Sequence, residues 1–302
     1  MFKDIHCMQL HDILNAKWLI NTDVILSYIP YFFSFLNGGS IDWKKIAGDN
    51  NIKPYCLAEP INTAHRFDLQ DQNLPENSIA IIPIQDVITS DKSMLIEMYI
   101  RQAIANPNVI AILFMVSTPG GMVLYTDILA KFIKDCPLPT VAYVVGYAAS
   151  SGAWLISGTN RIIASSPLDT FGSIGVMTSF TDIASFLKTK LNIDIFDVYA
   201  TKSTRKNEIT RALQNTSLSM EDRTKLVTKE LDFVNEFFHS AIRENLGIKE
   251  DSEVFTGASY HAQDAISLGL AHEINTLDYA LSTAQQLGIK SKINQLFTNL
   301  KR

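Results

Sequence analysis

The run Val109-Ile110-Ala111-Ile112-Leu113-Phe114-Met115-Val116, closed by Ser117-Thr118-Pro119-Gly120-Gly121, decides the fold together with a second passage. That passage is Thr140-Val141-Ala142-Tyr143-Val144-Val145, after which comes Ala148-Ala149-Ser150-Ser151-Gly152-Ala153-Trp154. Each apolar run is short, bounded by turn residues and rich in β-branched and aromatic side chains, the pattern of a strand buried on both faces of a parallel sheet. Both closing motifs therefore sit at the carboxyl ends of strands, where helix N-termini and backbone N–H groups converge in open α/β sheets. Paired glycines after a proline let the chain turn sharply and leave N–H groups uncovered. A serine opening a small-residue helix puts a hydroxyl at its positive end. The combination reads as an oxyanion hole facing a nucleophile.

Working outward, the alternation continues on both sides. Ile79 to Ile84 reads as a strand, with Pro83 indicating an edge or terminal position. Lys92 to Ile104 reads as a helix stopped by Asn106-Pro107-Asn108, and Met122 to Lys134 and Ser150 to Ile156 as further helices. Arg161 to Ala164, Gly175 to Ser179 and Ile193 to Val198 read as strands, Asp182 to Leu191 as a helix, and Ala262 to Leu268 as a late helix before Gly269. Glu221 to Leu246 is the longest helical pattern, with Leu226, Val227, Leu231, Val234, Phe237, Phe238, Ala241 and Ile242 on one face. Strand-helix-strand repetition predicts right-handed crossovers and an α/β fold with a mainly parallel sheet. The expected organisation is an N-terminal helical extension over residues 1–77, helical from Leu10 to Leu36 with a break at Pro30, and a core domain over residues 78–302.

Three motifs in order, Pro119-Gly120-Gly121, Ala148-Ala149-Ser150 with Gly152 and Trp154, and Gly172-Ser173-Ile174-Gly175-Val176, resemble the signal peptide peptidase A (protease IV) family of Ser-Lys peptidases. That family is related to Clp protease and the crotonases, and the resemblance runs from about Ile79 to Ile274. It implies a Clp protease/crotonase-like fold, a peptide or protein substrate, a serine endopeptidase activity and no cofactor or metal. By resemblance Ser150 is the nucleophile, and the amides of Gly121 and Ser151 hold the oxyanion. Gly120, Gly172, Ser173 and Gly175 line a groove where an extended peptide adds to a sheet edge. Ser151 stands where the family has glycine, but one position round a helix turns its side chain about 100° away from that of Ser150. His272 stands where the family has an acidic residue.

A serine needs a base. None of the six histidines, His6, His11, His65, His239, His261 and His272, sits in a strand-end loop beside an orienting aspartate. A lysine serves if burial lowers its pKa. The resemblance places it in Tyr199-Ala200-Thr201-Lys202-Ser203-Thr204-Arg205-Lys206-Asn207, which lacks the family's glycine and leaves two candidates. Counting back from Glu221 favours Lys206; counting forward from Ser150 fits Lys202 about as well. Lys206 is preferred. Small residues Ala148, Ala149 and Ala153 suggest room for a small or apolar substrate side chain.

Composition narrows the setting. A chain of 302 residues, 47% hydrophobic and 19% charged, has ample core material, and a net charge of −5 speaks against nucleic acid. Cys7, Cys56 and Cys136 are odd in number and lack metal spacing, which fits a reducing, cytoplasmic location. Trp18 to Leu36 carries Asn21, Asp23 and Pro30, so it is not expected to span a membrane. A homo-oligomer is expected on resemblance. The missing span and the N-terminal extension are similar to the phage and prophage branch, whose members mature capsids and cleave scaffolding protein. Two other readings stay open: a crotonase-class acyl-CoA enzyme, and a noncatalytic assembly module.

Overall fold

A computed structural model describes residues 18–19, 53–58, 66–71, 73–179, 188–189, 192, 196–215 and 217–300. In chain order the strands are β1 (Trp18–Leu19), β2 (Tyr55–Leu57), β3 (Ser78–Gln85), β4 (Val109–Thr118), β5 (Gly121–Met122), β6 (Thr140–Ala149), β7 (Arg161–Ala164), β8 (Thr170–Gly172), β9 (Ser259–His261) and β10 (Glu273–Ile274). The helices are α1 (Ser90–Ala105), α2 (Thr126–Lys134), α3 (Ser151–Ser157), α4 (Glu208–Gln214), α5 (Met220–Leu246), α6 (Ala262–Ser267) and α7 (Leu277–Leu300).

The main sheet runs β10-β7-β6-β4-β3-β2. Contacts from β3 through β4, β6 and β7 to β10 are all parallel, as is β8 on β6, while β2 joins antiparallel at one edge and β9 antiparallel on β8. The mainly parallel α/β architecture is therefore as expected. Side chains alternate with the pleat. Ala80, Ile82 and Ile84 of β3 and Ile112, Phe114 and Val116 of β4 face one core with α1, α2, α3 and α5. Ile79, Ile81, Ala111 and Leu113 face a smaller core closed by Ala280, Leu281 and Ala284 of α7. Burial on both faces explains why these strands read as unbroken apolar runs.

Pro83 pairs in register with Met115 of β4, while β2 reaches only Ile79 to Ile81, so among the described residues the proline has no strand on its other side. β2 lies within the stretch expected to be a separate arm, yet Cys56 and Leu57 are buried in the sheet's two cores. The extension thus contributes to the sheet it precedes. At Trp18–Leu19 the expected helix is instead a strand, paired antiparallel with β5; the rest of Leu10 to Leu36 lies outside the described residues. So does nearly all of the expected helix from Asp182 to Leu191. Over 175–179 the expected strand is reduced to a single bridge residue, Met177, and the described part of the expected strand at 193–198, residues 196–198, is irregular.

α5 spans the stretch expected of it, capped by Ser219 and ended at Gly247. Its apolar stripe is only partly covered. Phe238 and Ile242 are buried, Phe238 stacking on Trp154 of α3 at 4.8 Å between ring centres. Phe233 and Phe237 are 66% and 59% exposed. Among the described residues no helix is long and apolar enough to cross a membrane.

Candidate active site

Three strand ends meet at Ser150. β6 delivers it, α3 leaves from it, and its N–H donates to the Gly172 carbonyl at the end of β8, 2.8 Å away. The Ser150 carbonyl accepts the Trp154 N–H at 3.0 Å, closing the first turn of α3. Ser150 itself takes φ 55° and ψ −119°. A non-glycine residue in that region carries about 1–3 kcal/mol of backbone strain and persists only where its surroundings over-determine it. Ser150 is 1% exposed, and its hydroxyl, like that of Ser151, is buried without a hydrogen-bond partner. An unpartnered buried hydroxyl costs about 1–3 kcal/mol, a cost proteins usually avoid.

The glycine turn is held against this junction by contacts that motif reading does not reveal. The Thr118 hydroxyl donates to the Asp86 carbonyl and accepts from the Gly120 N–H at 3.1 Å. Gly120 takes φ 104° and its carbonyl accepts the Ile88 N–H. Met122 N–H donates back to the Ile88 carbonyl at 2.8 Å. A Cβ on Gly121 would fall 1.9 Å from the Ile88 carbonyl oxygen, so glycine is required there by contact. A Cβ on Gly152 would fall 2.4 Å from Thr118 Cγ2. This second glycine lets the start of α3 close onto the end of β4. The first N–H groups of a helix have no intrahelical acceptor, so the amides around Ser151 suit a developing negative charge.

The third motif is also at the junction. Gly172 has φ 109° and Ser173 φ 51°, and Ser173 N–H donates to Ala258 at 2.7 Å. Gly175 lies near Gly257 in the chain that follows. Ala148 and Ala153 are buried beside Ser150 and Ala149 is half-buried.

Lys202 and Lys206 are placed differently. Both lie in the turn-rich segment before α4, and both are exposed. Neither reaches the partnerless Ser150 hydroxyl. The burial expected of the base is not found within the single chain. Lys92, which sequence reading passed over, sits at the carboxyl end of β3 with its ammonium donating to the Gln85 carbonyl and to Asp86. Burial holds its pKa below the ordinary lysine value, while the Asp86 carboxylate works against that shift.

His272 has a structural use: its Nδ1 accepts the Ile162 N–H at 3.0 Å, and its own N–H donates to Ile162, joining β10 to β7. Cys56 and Cys136 are free thiols, Cys56 pushed up to about 12 chiefly by burial; Cys7 lies outside the described residues.

The family model for peptidase family S49 matches residues 133–290, more than half the chain and including Ser150, Gly172 and the Lys202 to Lys206 segment. The chain belongs to peptidase family S49. Among relatives, a Methanocaldococcus jannaschii protein provisionally named a protease, MJ0651, is 29% identical over 58% of this chain and 55% of its own. Protease 4 of Haemophilus influenzae is 25% identical over 72% of this chain and 36% of its own length. Capsid assembly protease C of Escherichia phage lambda is 26% identical over 67% of this chain and 48% of its own. The S49 chain described here thus spans about half or less of these curated relatives. A solved mutant of the 1510-N membrane-bound stomatin-specific protease with a substrate peptide superposes with TM-score 0.42 at 17% identity, covering 70% of this chain and 81% of that one.

Proposed function

We propose that this S49 chain is a serine endopeptidase with Ser150 as nucleophile, the Gly121 and Ser151 amides as oxyanion donors, and Lys206, with Lys202 the alternative, as base. The observation that carries the reading is the Ser150 hydroxyl, strained at a strand-helix junction, buried and bonded to nothing. The lysine amine takes the Ser150 proton while Oγ bonds to the substrate carbonyl carbon. The amide C–N bond then breaks, with the lysine returning the proton to the leaving amine. Water, deprotonated by the same lysine, releases the acyl group and regenerates the serine. For this the segment holding Lys202 and Lys206 must move to Ser150, from the same chain or from a second copy. The exposed Phe233 and Phe237 on α5 give a second copy an apolar face to meet.

An extended peptide is the substrate the edge at β5 suits, since Trp18–Leu19 already adds to it as an antiparallel strand. Similarity to the phage capsid protease supports a capsid or scaffolding protein as natural substrate, and the free thiols support a reducing, cytoplasmic setting. The second reading, a noncatalytic assembly module, is favoured by the two exposed lysines. A fluorophosphonate probe and casein cleavage decide between them. We expect labelling and cleavage by the wild type and neither by Ser150→Ala at unchanged thermal stability; equal turnover in the two proteins would overturn the proposal.

A further inference from the structure

Asp169 lies outside all three motifs, yet it is 3% exposed and both carboxylate oxygens are occupied. Oδ1 accepts the Gly146 N–H at 2.8 Å. Oδ2 accepts the Ser165 N–H at 2.6 Å, the Ser165 hydroxyl at 2.9 Å and the Ser166 N–H at 2.9 Å. No ion pair among the described residues involves it. A buried carboxylate held only by neutral donors is stabilised when those donors are fixed in place, and it fixes them in return.

What it fixes is the approach to Ser150. β6 pairs with β7 over Val141 to Val144 and with β8 over Tyr147 to Ala149, changing partner across Gly146. On its other side, β6 runs in register with β4 up to Val144↔Val116 and resumes at Ala148↔Thr118. Four steps along β6 thus match two along β4, so Gly146, at φ 92°, is the centre of a bulge. At this break in both ladders, its N–H is taken by Asp169. Three residues after Asp169, Gly172 supplies the carbonyl that receives the Ser150 N–H. One side chain therefore joins the strand that enters the strained serine to the strand that anchors it.

We propose that Asp169 is a positioning residue for Ser150, one oxygen setting the β6 bulge and the other the 165–166 turn before β8. The inference rests on Ser150 being the nucleophile. Both oxygens are needed. In Asp169→Asn one becomes an amide NH2, which can only donate, and it must face either Gly146 N–H or the Ser165 and Ser166 N–H groups. Gly146→Ala disturbs the other end of the link without burying a new polar group. Its Cβ would find its nearest atom, Ser117 Oγ, at 3.5 Å, so the effect comes from the positive φ.

The test is the rate of labelling of the full chain by a fluorophosphonate, with kcat and KM on a quenched peptide and thermal stability alongside. We expect Asp169→Asn and Gly146→Ala each to lose about tenfold or more in labelling rate and kcat, with KM within about twofold. Ser166→Ala, whose hydroxyl accepts only from Leu168 N–H in the same turn, should match wild type. Labelling of a folded Asp169→Asn or of Gly146→Ala within about twofold of wild type would sink the inference. If Asp169→Asn does not fold, Gly146→Ala alone decides. Absence of Ser150-dependent labelling in the wild type would instead refute the nucleophile reading, a separate failure.

Discussion

The two halves of the proposed dyad are built by different means. Around Ser150, three strand ends, two close-packed glycines and a buried aspartate leave the backbone no second arrangement. Around Lys202 and Lys206 the chain makes turns, exposes nearly every side chain, and contributes little to either core. The sheet can determine a nucleophile because the residues that place it are the ones that bury apolar surface. A lysine that must be both desolvated and movable gains no such support from the same core, since desolvating it alone costs free energy. The contrast teaches that the setting of Ser150 is a product of folding, whereas the proposed dyad would need a further ordering step to bring its base to it.

The largest expected effect attacks that step directly. Replacing the true base by alanine should reduce kcat by about 10³-fold or more, while the other lysine's variant should stay within about threefold. Lys206→Ala is expected to be the deficient one, and peptide hydrolysis by the two variants in parallel checks it. The source of the base then follows from mixing Ser150→Ala with Lys206→Ala chains. With head-to-tail contacts and equal amounts, about a quarter of the sites would pair an intact serine with an intact lysine across an interface. We expect activity of that order, because within one chain both lysines face outward. No recovery in a stable mixed oligomer would mean that the segment folds onto its own serine.

On the rigid side, Gly121→Ala should cost about tenfold or more in activity together with a clear loss of thermal stability. The added methyl group would sit 1.9 Å from a backbone oxygen, and separating β5 from residue 88 breaks the Met122 to Ile88 hydrogen bond. Gly120→Ala offers a second comparison, since at φ 104° an alanine is strained there.

The same division explains what could be read in advance. Strands β3, β4, β6 and β7 and helix α5 were legible because double-sided burial and helical periodicity leave direct marks in composition. The position of Ser150 was legible from its strand-turn-helix setting and from resemblance. The bulge at Gly146 was not, because ending the strand at Val145 made its glycine look like a terminus; a lone glycine followed by Tyr147-Ala148-Ala149 is the signal that could have shown it. Asp169 and Thr118 each make one bond to a backbone group remote in sequence, Gly146 and Asp86, which no local pattern encodes. Which part of α5's apolar stripe would be covered was not legible, because periodicity reports the stripe and says nothing of what meets it.

The smallest effect expected concerns acid stability of the rigid half. His239, packed at 4.8 Å on Phe255, is held below the ordinary histidine value mainly by burial, with the nearby Ile174 backbone working against that shift. His272 is held down by burial and then by Arg161, and its Nδ1 must stay unprotonated to accept the Ile162 N–H. Both sites bind protons less readily folded than unfolded. Between the folded values and the ordinary histidine value of about 6.5 the unfolded chain therefore holds more protons, so stability falls as pH drops through that window and is complete above it. His272→Asn retains an acceptor near the Nδ1 position without a group that titrates here. Thermal unfolding followed from about pH 8 to about pH 5 should show a shallower acid decline in the variant than in the wild type. Parallel declines would mean that the joint between β10 and β7 is not where protons destabilise the sheet, leaving His239, beside the Ile174 turn, as the group to replace next.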